Sequence, residues 1–136
     1  MKEAVSKKEL FRLAKEARLR SYAPYSKTTV GAALVTRDGR IYTGANIENA
    51  AFSPSVCAER VALFSAIHNG EREFSAIAVA GGALGEGETA SFCPCGVCRQ
   101  VMAEFCGKDF LIVLGDEEAL TLSALLPYAF DKEKIK

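Results

Sequence analysis

The sequence predicts an α/β fold built on a mixed sheet, and three observations carry that expectation. Short apolar runs alternate with stretches of helical periodicity, as in layered α/β proteins. An Asp-Gly pair at hairpin spacing separates the first two apolar runs, so at least one strand pair is antiparallel. An Asn-Gly stop closes the second helical stretch. Taking the elements in order, residues 5–20 place Leu10, Leu13, Ala14 and Ala17 on one helical face, with Lys and Glu on the other. Tyr22-Ala23-Pro24-Tyr25-Ser26 breaks that helix. A strand from Val30 to Thr36 is apolar enough to be buried on both faces. Arg37-Asp38-Gly39-Arg40 turns the chain into a return strand from Ile41 to Ala45.

A loop from Asn46 to Ser55 leads to a helix over roughly 56–68, ended by Asn69-Gly70. Phe74 to Ala80 reads as a strand and Gly81 to Ser91 as a Gly-rich surface loop. A third helix is expected over 96–106, closed by Gly107, followed by a strand over 110–114. A short strand and a turn of helix, around 120–126, end at Pro127, and the charged tail from Asp131 to Lys136 is expected to fray.

The chain has 136 residues, so one domain over 1–136 is the natural expectation. Apolar residues make up 49% and charged residues 25%, which suits a domain able to build its own core. A net charge of +0 lacks the basic footprint of a nucleic-acid binder, so the substrate is expected to be a free small molecule. Lys2, Glu3, Lys7, Lys8 and Glu9 precede no apolar leader, and no run is long enough to span a membrane. Neither a nucleic-acid nor a membrane partner is therefore expected. Five cysteines, an odd number, point to free thiols in a reducing compartment, hence a cytoplasmic location.

Chemistry concentrates in Cys57-Ala58-Glu59 and Pro94-Cys95-Gly96-Val97-Cys98. Cys95 and Cys98 are three apart at a helix start, which places both sulfurs on one side of the first turn. Cys57 begins another helix. Three thiolates would leave a tetrahedral zinc one position for water, the mark of a catalytic rather than a closed site. The partial positive charge of two helix N-termini favours thiolates there. Glu59 is then a carboxylate free to move protons. Arg60, three residues after Cys57, can reach back to its sulfur and draw off charge that would otherwise make the bound water less acidic.

Two other readings of the cysteines stay open at this level: a thioredoxin-like redox pair, and a closed structural zinc knob with Cys93 as fourth ligand. Cys106 reads as a buried small hydrophobe. His68 lies eleven residues beyond Cys57 on the same helix, about 16 Å along its axis, too far to join the cluster. The Gly-rich stretch lacks a P-loop ending, and Glu86 and Glu88 would repel a phosphate.

These residues together resemble the small zinc-dependent cytidine deaminases of pyrimidine salvage, in their three-cysteine, homotetrameric branch. The likeness runs through Tyr22-Ala-Pro-Tyr-Ser, Val30-Gly-Ala-Ala-Leu, Asn46-Ile-Glu-Asn-Ala-Ala-Phe, Cys57-Ala-Glu-Arg, Pro94-Cys-Gly-Val-Cys-Arg-Gln and Leu125-Leu-Pro-Tyr-Ala-Phe. It implies a three-layer α/β/α cytidine-deaminase-like fold with a mixed five-stranded sheet. It implies one Zn2+ per chain on Cys57, Cys95 and Cys98, with Glu59 as proton shuttle. Ala58 would offer its backbone amide near the reacting carbon. Asn46 and Glu48 would bind the ribose, Glu48 through the 3′-hydroxyl, and Phe130 would reach a neighbouring subunit's pocket. The implied reaction is hydrolytic deamination of cytidine and deoxycytidine to uridine and deoxyuridine with release of ammonia.

Two positions depart from the family pattern. Thr28 stands where the family commonly has an aromatic against the base, and Cys93 stands where Ser usually precedes Pro; Cys93 is expected only to pack. The Thr28 change keeps a blasticidin-type or modified-cytidine deaminase as an alternative in the same fold. From a different class, a non-catalytic zinc-binding interaction module is the alternative.

Overall fold

The protein's structure is a computed structural model that describes residues 5–87 and 90–135. Helix α1 (Lys7–Ala17) opens at Ser6, whose side chain accepts a hydrogen bond from the Glu9 amide. Its last predicted turn tightens into a 3-10 turn at Arg18–Arg20. Strand β1 (Thr28–Thr36) pairs antiparallel with β2 (Ile41–Ala45) around the predicted Asp38-Gly39 turn. Gly39 takes a φ of 92° there, a conformation that suits glycine. Helix α2 (Ala58–His68) then crosses to β3 (Phe74–Ala83). A two-residue strand, β4 (Ala90–Ser91), precedes α3 (Gly96–Phe105), β5 (Leu111–Val113), β6 (Ala119–Thr121) and the short α4 (Leu122–Leu125).

The main sheet runs β2-β1-β3-β5-β6, with β4 added against the end of β3. The β3–β5 pair is parallel and the others are antiparallel, so the sheet is mixed, as expected. Residues of β1 alternate between two cores. Ala33 and Val35 join Leu10, Phe11 and Ala14 of α1, together with Ala76, Ala78 and Ala80. Ala32 and Leu34 join Ala58, Ala62 and Leu63 of α2, Met102 of α3, and Ile77 and Val79. These are the two helical layers of an α/β/α arrangement, and β1 is buried on both faces.

Glycine permits the closest approach of helix to sheet on each side. A side chain at Gly31 would run into the Ala14 carbonyl and the Arg18 amide. A Cβ at Gly44 would sit 2.5 Å from the Ala62 nitrogen and 2.6 Å from the Ala58 oxygen. The second contact matters for function, because it seats the first turn of α2.

The structure corrects several boundaries. The Gly-rich stretch is not all loop: residues 81–83 extend β3, and Ala90–Ser91 pair back onto Ala80 and Gly81. Glu88 lies outside the described residues. Helix α3 stops at Phe105 with Cys106 in extended backbone, so Gly107 does not form its cap. The charged tail is not uniformly frayed, since Lys132–Lys134 form a 3-10 turn capped by the Asp131 side chain.

Candidate metal centre and substrate cavity

Two helix N-termini converge at the site. Cys57 is the N-cap residue of α2 and Cys95 that of α3, and neither cap makes a side-chain hydrogen bond to its helix. Cys98 follows one turn into α3 and is buried. The sulfurs of Cys57, Cys95 and Cys98 all lie within 4.8 Å of one another. Cys57 and Cys95 are 3.7 Å apart, sulfur to sulfur. Zinc–sulfur bonds of ~2.3 Å at tetrahedral angles place sulfurs about 3.8 Å apart, so the donor set fits zinc in kind and in spacing.

Electrostatics at the cluster follow from its neighbours. Arg60 donates from Nη2 to the Cys57 sulfur at 3.5 Å, which is the contact its spacing predicts. A hydrogen bond from Cys98, reinforced by Arg60, draws the Cys57 thiol down to about 5. Cys98 is pushed upward by the adjacent Cys57 sulfur and by burial, so without metal it is the proton donor of the pair. Glu59 is only 4% exposed, and burial raises its carboxyl to about 7. That places it in the range where a carboxyl can both take and give a proton near neutrality.

A cavity of about 210 Å³ opens over the cluster. Ala58, Glu59, Cys57 and Cys95 line one part of it, and Ser26, Thr28, Val30 and Asn46 another. Val79, Phe92 and Cys93 complete it. Of the cavity residues, Ser26, Val30, Val79 and Phe92 were not singled out as site residues by the sequence. Only Val30 carries a local signal, alternation: it sits two residues from Thr28 on β1 and so shares its face. Cys93 departs from expectation. It is an exposed thiol on the cavity wall rather than a packing residue. Cys106 is half-buried against the core, and burial pushes its thiol up to about 12. His68 is exposed at the end of α2 and takes no part in the cluster.

Asn46 does more than face the cavity. Its side chain accepts from the Val30 amide at 2.8 Å and donates to the Thr28 carbonyl at 2.9 Å, tying the start of β1 to the end of β2. One amide hydrogen and one lone pair remain for a ligand. Glu48 is not one of the residues lining the cavity; its carboxylate accepts from the Tyr25 and Ser26 amides and the Ser26 hydroxyl, and Ser26 does line it. Phe130 lies apart from the chain's own cavity. The residue is 60% exposed, and its carbonyl accepts from Gln100 of α3 at 2.7 Å. Arg99 fastens the same region, donating to the Pro94 and Leu125 carbonyls, both at 2.8 Å.

Fold and site together define an α/β/α protein with a three-thiol zinc centre at two helix ends. The chain belongs to the cytidine and deoxycytidylate deaminase family, whose zinc-binding region matches residues 4–114. It is 50% identical over 125 residues to a cytidine deaminase of Sporosarcina psychrophila, covering 89% of this chain and 88% of that protein. It is 46% identical over 128 residues to one from Halalkalibacterium halodurans, covering 91% and 93%. Among solved structures it superposes on the cytidine deaminase of Burkholderia pseudomallei with a TM-score of 0.80 at 46% identity, covering 89% and 96%. The Mycobacterium tuberculosis cytidine deaminase matches with a TM-score of 0.82 at 36% identity, covering 93% and 98%. No helix among the described residues is long and apolar enough to cross a membrane.

Proposed function

We propose that this chain is a zinc-dependent cytidine deaminase that hydrolyses cytidine and deoxycytidine to uridine and deoxyuridine, releasing ammonia. The observation that carries the reading is one cavity whose wall holds both a buried Glu59 and thiols of a zinc-spaced cluster. Cys57, Cys95 and Cys98 hold the metal. Bound there, zinc supplies an acidified water as nucleophile.

Glu59 does the proton work. Its carboxylate takes a proton from the water and gives one to N3 of the pyrimidine, which makes C4 electrophilic. The water oxygen bonds to C4, and Glu59 carries the proton of the resulting C4 hydroxyl to the amine, which leaves as ammonia. Ala58 offers its backbone amide at the reacting end, and burial there excludes bulk water. Asn46 and Glu48 receive the ribose. Arg60 donates to the Cys57 sulfur and would draw charge from the thiolates that hold the metal.

Residues 1–136 act as one domain in this reading. Chains associate as a homotetramer, with Phe130 of one chain covering the base in another. Large apolar side chains left exposed, among them Phe52, Phe64, Val97 and Phe130, support association. The role assigned to the chain is pyrimidine salvage in the cytoplasm, where its thiols stay reduced.

The test is ultraviolet absorbance of zinc-loaded protein mixed with cytidine, deoxycytidine or free cytosine. Loss of the aminopyrimidine band with both nucleosides, and not with the free base, is the expected result. No loss with any of the three, in protein holding one zinc per chain, would overturn the substrate assignment.

A further inference from the structure

The Glu48 carboxylate is set from one side by a single short segment. Its Oε1 accepts the Tyr25 amide at 3.0 Å and the Ser26 amide at 3.1 Å. Its Oε2 accepts the Ser26 hydroxyl. A carboxylate offers about four lone-pair positions, two on each oxygen. Oε1 is therefore full, and Oε2 keeps one position.

The direction of the Ser26 hydroxyl is also fixed. Its oxygen accepts from the Thr28 amide at 3.1 Å. An amide has only a hydrogen to give, so the hydroxyl hydrogen goes to Glu48. Ser26 and Thr28 both line the cavity over the cluster, whereas Glu48 is not among its lining residues. Ser26 is thus the link between the cavity wall and the carboxylate.

The segment is held in place for this. Lys27 has a φ of 59°, in the left-handed region, which is strained for a residue other than glycine. Such a conformation persists when its surroundings over-determine it. Here the Lys27 amide donates to the Ala23 carbonyl at 3.2 Å, and the Lys27 carbonyl accepts from the Leu84 amide at 2.8 Å.

Resting on the reading that Glu48 receives a sugar hydroxyl, we infer that Ser26 is a positioning and specificity-determining residue. It holds Glu48 as an acceptor with a single open site, which takes one hydroxyl donor and nothing anionic. The Ser26 hydroxyl is also the main cause of a Glu48 carboxyl held below the ordinary carboxylate range. The substrate class is a nucleoside with a free 3′-hydroxyl. A 3′-phosphate, as at an internal position of a polymer, has no hydrogen to give and is repelled.

The test compares zinc-loaded wild type, Ser26→Ala, Ser26→Thr and Glu48→Gln on cytidine and on 3′-deoxycytidine. Ser26 is exposed, so Ser26→Ala is expected to fold. It should raise KM for cytidine about tenfold, the equivalent of one hydrogen bond, with kcat unchanged. On 3′-deoxycytidine it should match wild type, and Ser26→Thr should restore the cytidine KM. The inference is overturned if Ser26→Ala weakens both nucleosides equally, lowers kcat instead, or leaves the cytidine KM untouched. Glu48→Gln separates the two levels. If it discriminates between the nucleosides and Ser26→Ala does not, the sugar-site reading stands and the role of Ser26 falls. If Glu48→Gln affects both alike, both claims fail together.

Discussion

Helices α1 and α4 begin with hydroxyl caps, whereas α2 and α3 begin with cysteines. Ser6 accepts the Glu9 amide at 3.1 Å, and Thr121 accepts the Ala124 amide at 3.3 Å. Cys57 and Cys95 occupy the equivalent positions without any such bond. A missing hydroxyl cap typically costs about 1 kcal/mol per helix. The difference shows where the fold serves itself and where it serves chemistry. At α1 the end of the helix is closed by its own chain. At α2 and α3 no side chain caps the first turn, so the dipole is left to favour thiolates, and the metal finishes the structure.

Metal removal should give the largest effect. Stripping zinc with a chelator should take turnover to background and lower the melting temperature, because a ligand bound only to the folded chain stabilises it by mass action. Adding zinc back should restore both. A chelated protein that melts as before would show that α2 and α3 do not depend on the metal.

Thiol labelling sharpens the electrostatic side. Cys57 is drawn down to about 5 and Cys106 pushed up to about 12. Near pH 7 the first is thiolate and the second is thiol. The intrinsic nucleophilicity of a thiolate falls with its pKa, so the net advantage of Cys57 in metal-free protein should be about a hundredfold. Peptide mapping after brief alkylation would check this. Raising the pH toward 12 should bring Cys106 into reaction, and equal labelling at pH 7 would remove the electrostatic account.

Glycine substitutions separate the two helical layers. Gly31→Ala and Gly44→Ala should each destabilise by about 1–3 kcal/mol through overpacking. Only Gly44→Ala pushes on the first turn of α2, so it alone should also weaken zinc retention. Equal zinc loss in both would mean that the site is not seated by that contact.

The smallest effects test the caps themselves. Ser6→Ala should cost about 1 kcal/mol and leave turnover intact. Cys57→Ser should lose tight zinc binding, yet stabilise the metal-free chain by up to about 1 kcal/mol by restoring a hydroxyl cap. Chemical denaturation of metal-free proteins would read both.

Much of this was legible in the residues, because the signals were local. Helical spacing placed Leu10, Ala14 and Ala17 in the core, and Asp38-Gly39 announced the hairpin. The three-residue step from Cys57 to Arg60 foretold a guanidinium–sulfur contact. The ends of elements were less legible where partners decide them. Gly81, Gly82 and Ala83 read as loop from composition, but pairing with β1 makes them strand. Cys93 read as packing because nothing local reveals that the chain before Pro94 borders a cavity. The second task of Asn46, bridging Thr28 and Val30, depends on a neighbour sixteen to eighteen residues away. Spacing along one segment cannot show that.

The measurement that tests the account most directly pairs zinc content with turnover in wild type and Glu59→Gln. The glutamine keeps the shape and removes the proton function, so its chain should still hold one zinc. Its kcat on cytidine should fall by about 10²–10⁴-fold or more, the span a general acid–base group contributes. A Glu59→Gln protein that turns over cytidine at the wild-type rate would contradict the assignment of Glu59, and with it the reading of the cavity as a deaminase site.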